Sequence, residues 1–439
     1  FPGLTVNEEE FEESTEKLLG IDFGEKALLA GLSEYSDRLE DKRFLQLYSH
    51  YMKKNPERMK SEVLPNLFLK KAETNLSKEA VSLLYGKELA GSVTRLENYR
   101  KCPFAHFLAY GLCLSEREQF EIGNMDFGNI FHASLEHFSG LLKENKKRWR
   151  DIQEKDIHDM VNDSVEFAAQ NYKDSVFEQS MRSKYVLHRI RRIMGRTIET
   201  MVEQMKRGDF EQSAYEISFR ALNHLDETHL KLEHGKEMEL HGRIDRIDTI
   251  ETEDNTFVRV IDYKTGNTEF ELTSFYHGLQ MQLIVYLETA MALEKRRNGK
   301  EPVPAGMYYY HVKDPMLSVY EEDDEKRKEL FIKELALDGF AVLDQRADTN
   351  PEGLIRKKKN VLTEKEIRGM ISHTRKQMCV SGNEILNGNK EIRPYRLGTQ
   401  TGCDYCKYRS VCRFDERKED CYRELEKITD KDIWREISE

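Results

Sequence analysis

The chain has 439 residues, 34% of them charged, and a formal net charge of −11. That length exceeds one ordinary domain, and the acidic total argues against a protein that coats nucleic acid along its whole surface, so any such contact must come from local basic patches. No apolar run approaches the length that spans a bilayer, and seven cysteines with three crowded into Cys403 to Cys412 are not the spacing of a secreted disulfide scaffold, so a reducing cytoplasm with a metal or cluster site is expected.

Residues 1–91 read as a helical, highly charged extension, with helices around Phe44 to Met52 and Glu79 to Tyr85 and an acidic run from Glu8 to Glu13. The sequence opens without an initiator Met, and a piece of a longer polypeptide is expected. Ser92 to Leu114 changes character: Ser92 or Thr94 caps a short helix, Cys102-Pro103 ends it, and an aromatic helix follows through Phe104, Phe107 and Tyr110. Phe127 to Leu142 has Phe131, Leu135, Phe138 and Leu142 at helical spacing, with His132 and Glu136 four apart on the adjacent face. A histidine there serves a surface or a core unless it meets carboxylates, in which case it offers a nitrogen ligand and Glu136 a supporting partner. Asp151 to Arg207 is a long helical region with basic residues at Arg189, Arg191, Arg192, Arg196, Lys206 and Arg207, either a solvated face or a contact for phosphates.

Tyr215 to Leu222 and His229 to Glu233 alternate as strands, and the stretch from Leu240 to Lys264 carries the strongest pattern. L-H-G-R-I-D-R-I-D, a polar turn at Glu253, Asp254 and Asn255, and V-R-V-I-D-Y-K read as an antiparallel hairpin. With period two, Val258, Val260, Asp262 and Lys264 share one face, and Arg243 and Asp245 share a face of the neighbouring strand. Two aspartates and a lysine at the end of a buried strand need partners, and they suit a hard divalent cation with an ammonium beside it. Phe275 to Leu293 follows as one helix, burying Leu279, Leu283, Tyr286, Leu287 and Ala290, and Gln282 in so apolar a helix requires a hydrogen-bond partner. Ala305 to Val312 reads as a central strand, Glu321 to Leu343 as helix and Arg356 to Lys359 as a basic loop.

The second strong pattern is C-D-Y-C-K-Y-R-S-V-C, in which Cys403, Cys406 and Cys412 can grip one centre. Three such ligands call for a fourth, and Cys102 is preferred to Cys113, Cys379 and Cys421. Spacing alone leaves zinc and an iron-sulfur cluster both open.

Taken together, G-N-I-F-H (Gly128 to His132), G-R-I-D (Gly242 to Asp245), I-D-Y-K-T-G (Ile261 to Gly266), Q-L-I-V-Y (Gln282 to Tyr286) and the cysteines resemble the RecB-type branch of the PD-(D/E)XK nucleases. Within that branch, L-E-N-Y-R-K-C-P-F, I-D-R-I-D and G-L-Q-M-Q-L resemble the C-terminal part of the AddB type of helicase-nuclease subunit, over about residues 92 to 420. The resemblance implies an α/β fold, a central mixed β-sheet flanked by helices as in restriction endonucleases, over residues 92–439. Residues 1–91 would be the tail of a helicase-like region. It further implies that His132, Asp245, Asp262 and the Tyr263 carbonyl bind Mg²⁺, with Mn²⁺ also serving, and that Lys264 handles the attacking water. Gln282 and Tyr286 would support the site, and Cys102, Cys403, Cys406 and Cys412 would hold a [4Fe-4S] cluster. The implied activity is a single-strand-preferring DNA exonuclease that works beside an AddA-type subunit on double-strand breaks for recombinational repair. A fold retained only for DNA binding or scaffolding is the rival. No G-x-x-x-x-G-K-[ST] is present, so no ATP-driven motor is encoded in this stretch.

Overall fold

The structure, a computed structural model, describes residues 42–63, 75–86, 89–116, 123–172, 181–222, 225–266, 268–315, 324–342, 344, 346, 360–416 and 421–438. The chain divides into two compact units, Phe1–Glu73 and Thr74–Glu439. The first contributes a helix, Lys42–Lys54, that contains the stretch expected from Phe44 to Met52. The expected basic loop at Arg356 to Lys359 and the acidic run at Glu8 to Glu13 lie outside the described residues.

The second unit begins with α1 (Lys78–Tyr85) and β1 (Leu89–Ser92). These residues join it because Val81, Tyr85 and Leu89 are buried in its core and β1 pairs with β4 (Glu237–His241), which in turn pairs with β3 (His229–Lys231). The boundary drawn at 91/92 therefore marks where the motifs start, while the compact unit starts earlier. Ser92 caps α2 (Val93–Lys101), accepting a hydrogen bond from the Arg95 amide at 3.1 Å, and α2 stops at Cys102, where the following Pro103 disfavours a further helical turn.

Three helices then form one layer: α3 (Asn124–Glu144), α4 (Glu154–Gln170) and α5 (Met181–Lys206). The expected stripe Phe131, Leu135, Phe138 and Leu142 is buried among them, and the long helical region expected from Asp151 holds α4 and α5. A six-stranded sheet follows, ordered β2 (Glu211–Ser218), β5 (Arg243–Glu251), β6 (Asn255–Lys264), β7 (Glu301–His311), β8 (Asp338–Val342) and β9 (Val361–Leu362). β2/β5, β5/β6 and β7/β8 are antiparallel, β6/β7 and β8/β9 parallel, so the sheet is mixed as expected. β6 is covered on both faces: Val258 and Val260 pack with α6 (Gln282–Asn298) and α7 (Glu364–Leu386), and Ile261 and Tyr263 with the α3–α5 layer.

Two helix expectations are corrected. Phe275 to Leu293 is not continuous: a short helix, Leu272–Tyr276, ends at Gly278 in a left-handed conformation (φ +75°), and α6 restarts at Gln282. In the segment expected as helix from Glu321 to Leu343, the described residues form a helix over Asp324–Glu334 and then turn into β8, whose five residues are all buried against β7. No helix among the described residues is long and apolar enough to cross a membrane.

Beneath α2 lies a buried imidazole. His106 accepts a hydrogen bond from Arg95 Nε at 3.0 Å on Nε2 and stacks on Tyr110, while the Arg95 guanidinium sits 5.2 Å from the centres of the Tyr85 and Tyr110 rings. Burial first, and then the Arg95 charge, push its pKa down to about 3. The folded state thus keeps His106 neutral, whereas the unfolded chain protonates it near pH 6.5, so its contribution is intact above that pH and is lost as the pH falls toward 3. Between pH 7.5 and pH 5, wild type is expected to lose about 2 kcal/mol more stability than His106→Gln, read by urea unfolding at both pH values. Equal losses would contradict the buried neutral imidazole.

Candidate active site and cysteine centre

β5 and β6 bring the two aspartates side by side. Ile247 pairs with Val260 and Arg246 with Ile261, so Asp245 and Asp262 come at the open end of the hairpin on one face. Asp245 is fixed from behind, its Oδ2 accepting the Tyr263 amide at 2.8 Å. Asp262 lies 2.6 Å from Lys264 Nζ, the ion pair that period-two alternation requires of positions two apart.

Gln282, the first residue of α6, bridges these groups. Its Nε2 donates to Asp262 Oδ1 at 3.1 Å and to the Tyr286 hydroxyl at 2.9 Å, while its Oε1 accepts from Lys264 Nζ at 3.0 Å. This is the partner demanded of a polar side chain in an apolar helix. Gln282 is itself placed by Glu97, whose Oε1 accepts the Met281 amide at 2.7 Å and the Gln282 amide at 3.1 Å, capping the helix start. Burial raises the Glu97 pKa, opposed by those two amides and by Lys101 and Lys264. Glu97 stands in the L-E-N-Y-R-K motif, yet nothing in its spacing says that it reaches a helix 184 residues away.

His132, on α3, meets the carboxylates from the other side, with Nδ1 3.3 Å from Glu216 Oε1 and 3.6 Å from Asp245 Oδ1. Glu216 is a site residue that no sequence pattern marks. It belongs to β2, the strand beside β5, and Arg243 Nε holds its second oxygen at 2.7 Å. Its backbone is left-handed (φ 49°) in the middle of a strand, a conformation that costs about 1–3 kcal/mol for a residue with a Cβ. That local bend accompanies a side chain aimed at the catalytic end of the sheet. Glu136, expected as a supporting partner for His132, is exposed, and its charge acts on Tyr215 instead. The structure gives the place of His132's carboxylate partner to Glu216.

The electrostatics show an excess of negative charge. Burial raises the pKa of both aspartates; the Glu216 carboxylate adds to this at Asp245 and the Asp245 carboxylate at Asp262, against the opposing pull of His132 and Lys264. Burial alone would lower the His132 pKa, but the hydrogen bond with Glu216 and the charges of Asp245 and Asp262 outweigh it and raise it. Such a site gains by taking up a cation. His132, Glu216 and Asp245 each offer a ligand atom within 4.8 Å of the others. Asp262 stands beside this set, held by Lys264 and Gln282.

At the C-terminal end of α2, four cysteines from the two ends of the motif region line one cavity: Cys102, Cys403, Cys406 and Cys412. Cys102 is buried, and burial pushes its thiol up to about 11 against hydrogen bonds from the backbone N–H groups of Ala105, Phe104 and Arg393. Segments from the two ends of the motif region are tied together around it. The Phe104 amide donates to the Glu391 carbonyl at 3.1 Å, Tyr408 Oη donates to the Leu114 carbonyl at 2.9 Å, and Arg423 donates to the Arg100 carbonyl. Gly402 permits the closest approach, since a Cβ there would lie 2.7 Å from the Lys101 carbonyl oxygen. Cys113 and Cys421 are exposed and Cys379 sits on α7, whereas Cys102 shares the cavity with the three.

A sequence model of the PD-(D/E)XK nuclease superfamily matches residues 90–413, the span that holds the residues around Asp245 and Asp262 and the four cysteines of the cavity. The chain belongs to the PD-(D/E)XK nuclease superfamily. Three curated relatives are each named as the B-type subunit of an ATP-dependent helicase/deoxyribonuclease. The protein of Lachnoclostridium phytofermentans is 33% identical, the alignment covering 99% of this chain and 39% of that protein. Those of Clostridium perfringens and Bacillus licheniformis are 32% and 33% identical, covering 84% of this chain and 34% of each relative. The chain thus spans between a third and two fifths of the length of these relatives. Asp262, Tyr263 and Lys264 have the form of the (D/E)-x-K in the superfamily's name, and His132 and Gln282 lie on helices before and after the hairpin in sequence.

Proposed function

We propose that this chain is the nuclease module of a helicase-nuclease subunit and hydrolyses phosphodiester bonds of single-stranded DNA ends with the help of a divalent metal ion. The observation that carries this reading is the convergence of Asp245, Asp262, Lys264, His132 and Gln282 from two paired strands and two helices. The donor set is oxygen-rich with one imidazole nitrogen, which fits Mg²⁺ and also Mn²⁺. His132, Asp245, Asp262 and the Tyr263 carbonyl would hold the ion, and Glu216 is a further carboxylate within reach of that set. When bound, the ion supplies charge neutralisation at the scissile phosphate. Lys264 keeps an ammonium at the mouth of the site, where it orients a water and offsets developing charge. Gln282 fixes that ammonium and Asp262 relative to each other, and Glu97 and Tyr286 fix Gln282.

Cys102, Cys403, Cys406 and Cys412 are proposed to hold a [4Fe-4S] cluster. The four thiols line one cavity, which brings both ends of the motif region to a single centre, and four thiolates are the ligand set that such a cluster takes. Such a centre would tie together segments some 300 residues apart, worth a few kcal/mol of chain entropy. In the cell, the module would act in the cytoplasm beside an AddA-type subunit in the processing of double-strand breaks.

Two measurements test these readings. Labelled single-stranded DNA should be cut in Mg²⁺ and left intact in chelator; no cutting by the full chain, alone or with its helicase partner, would leave a scaffolding role instead. Anaerobically purified protein should carry about four iron and four sulfide per chain, and stoichiometric zinc would remove the cluster.

A further inference from the structure

The hydrolytic site does not use the basic helix α5, although its N-terminal half is the most one-sided charge in the described chain. From Met181 to Ile198 there are six Arg or Lys residues and not one Asp or Glu, in a protein of net charge −11. Arg182, Tyr185, Arg189, Arg192 and Arg196 recur at intervals of three and four and so form one row on the helix, about 21 Å long at 1.5 Å per residue. The opposite face carries Leu187, Ile190, Met194 and Ile198, all buried in the α3–α5 core. The row is therefore a fixed surface on a packed helix.

Part of this charge is already paired. Arg192 and Arg196 share Asp314, and Arg191 meets Glu166. Arg182, Lys184 and Arg189 are exposed and make no ion pair with the described residues. Among these cations stand large apolar side chains left in water: Tyr185 is 67% exposed and Met181 81%. Basic groups interleaved with an exposed aromatic ring suit a polyanion whose flat bases are free to stack.

The row also points at the catalytic end. The Arg189 guanidinium lies 6.0 Å from the centre of the Phe127 ring on α3, and Met125, two residues earlier, is 73% exposed. Gly128, next to Phe127, places its Cβ position 3.6 Å from Thr265, the residue that follows Lys264. One turn further along α3 is His132. We infer that the Met181–Arg192 face of α5 is a landing platform for single-stranded DNA that leads the strand across the start of α3 to the hydrolytic site, with Arg182 and Arg189 of the row and Lys184 on its flank on phosphates, and Tyr185 stacked on a base. This inference rests on the nuclease reading above for the destination of the strand, not for the binding itself.

The test is fluorescence anisotropy of a labelled oligothymidylate with the full chain in chelator, where no cutting occurs, over a range of salt concentrations. Arg182→Ala/Lys184→Ala/Arg189→Ala should reduce the slope of log affinity against log salt by about 2, near 0.7 for each phosphate no longer neutralised. Tyr185→Ala should weaken binding about 5- to 100-fold, and Tyr185→Phe should restore it, because stacking needs the ring and not the hydroxyl. A blunt duplex hairpin should respond to the triple change but not to Tyr185→Ala. All four positions are exposed, so unchanged thermal unfolding certifies the fold of each variant. An unaltered slope in the triple variant, or equal binding by Tyr185→Ala and Tyr185→Phe, overturns the platform; the first outcome would assign the face to an acidic protein partner. Cutting by wild type with unaltered binding by the variants sinks the platform and spares the nuclease, whereas platform-dependent binding without cutting in Mg²⁺ does the reverse.

Discussion

Asp262→Asn is expected to lower the rate of single-stranded DNA cleavage by three orders of magnitude or more while leaving the metal-free protein as stable as wild type, or more so. The substitution keeps the size of the side chain, and its amide oxygen can still accept from Gln282 Nε2, now 3.1 Å from Asp262 Oδ1, so the junction of β6 and α6 should survive. What it removes is a negative charge, and with it several kcal/mol of the electrostatic stabilisation that metal-assisted hydrolysis supplies. Stability moves the other way because that charge is unwelcome in the metal-free fold: burial and the adjacent Asp245 carboxylate raise the Asp262 pKa more than Lys264 lowers it. A carboxylate whose folded pKa is raised subtracts stability at neutral pH, and replacing it with a neutral isostere returns that stability. Calorimetric unfolding in chelator and gel assays in Mg²⁺ read the two effects separately. Cleavage within tenfold of wild type would remove Asp262 from the mechanism. Lost cleavage accompanied by a clear drop in melting temperature would mean that it serves the fold.

On the opposite face of β5 lies a second cluster of charge, and Asp248→Ala there should cost about 3–5 kcal/mol. Asp248 is completely buried, its Oδ1 2.6 Å from Arg246 Nε and its Oδ2 2.9 Å from Arg259 Nε. Both guanidiniums are buried as well, Arg246 over the Trp149 ring and Arg259 3.9 Å from the centre of the Phe210 ring. One carboxylate therefore serves two cations, and its loss leaves both in the interior with aromatic faces, the Tyr263 hydroxyl beside Arg246 and the Met205 sulfur as neighbours, none of them an anion. Replacing all three by apolar residues of similar volume should cost far less than the single truncation, since breaking a buried network is worse than dispensing with it. Urea unfolding midpoints at constant slope decide the matter, and a cost below about 1 kcal/mol for Asp248→Ala would show that water reaches the arginines. Asp248 and Asp245 are three residues apart on one strand, so loosening the first should also blur the position of the second.

Alternation of side chains along a strand puts Asp262 with Lys264 and Asp245 with Arg243, and the hairpin, its turn and the face it shows follow from that period alone. The buried stripe of α3, the capping serine of α2 and the need of Gln282 for partners are equally legible, because each depends on residues within a few positions of one another. So is the cysteine knuckle.

Tertiary structure decided the rest. Glu216 enters the site through a left-handed backbone turn in the middle of β2, and no hydrophobic period reports a single unusual φ. Glu97 reaches the first turn of α6 only because α2 and α6 are packed side by side, a contact that local spacing leaves undefined. Glu136 has the spacing of a partner for His132 but faces water, since the helix rotation that buries Phe131 and Leu135 turns it outward. Local sequence sets which groups share a face. Which faces meet is set by long-range packing, and that packing gave His132 to Glu216 and drew Cys102 to the distant knuckle.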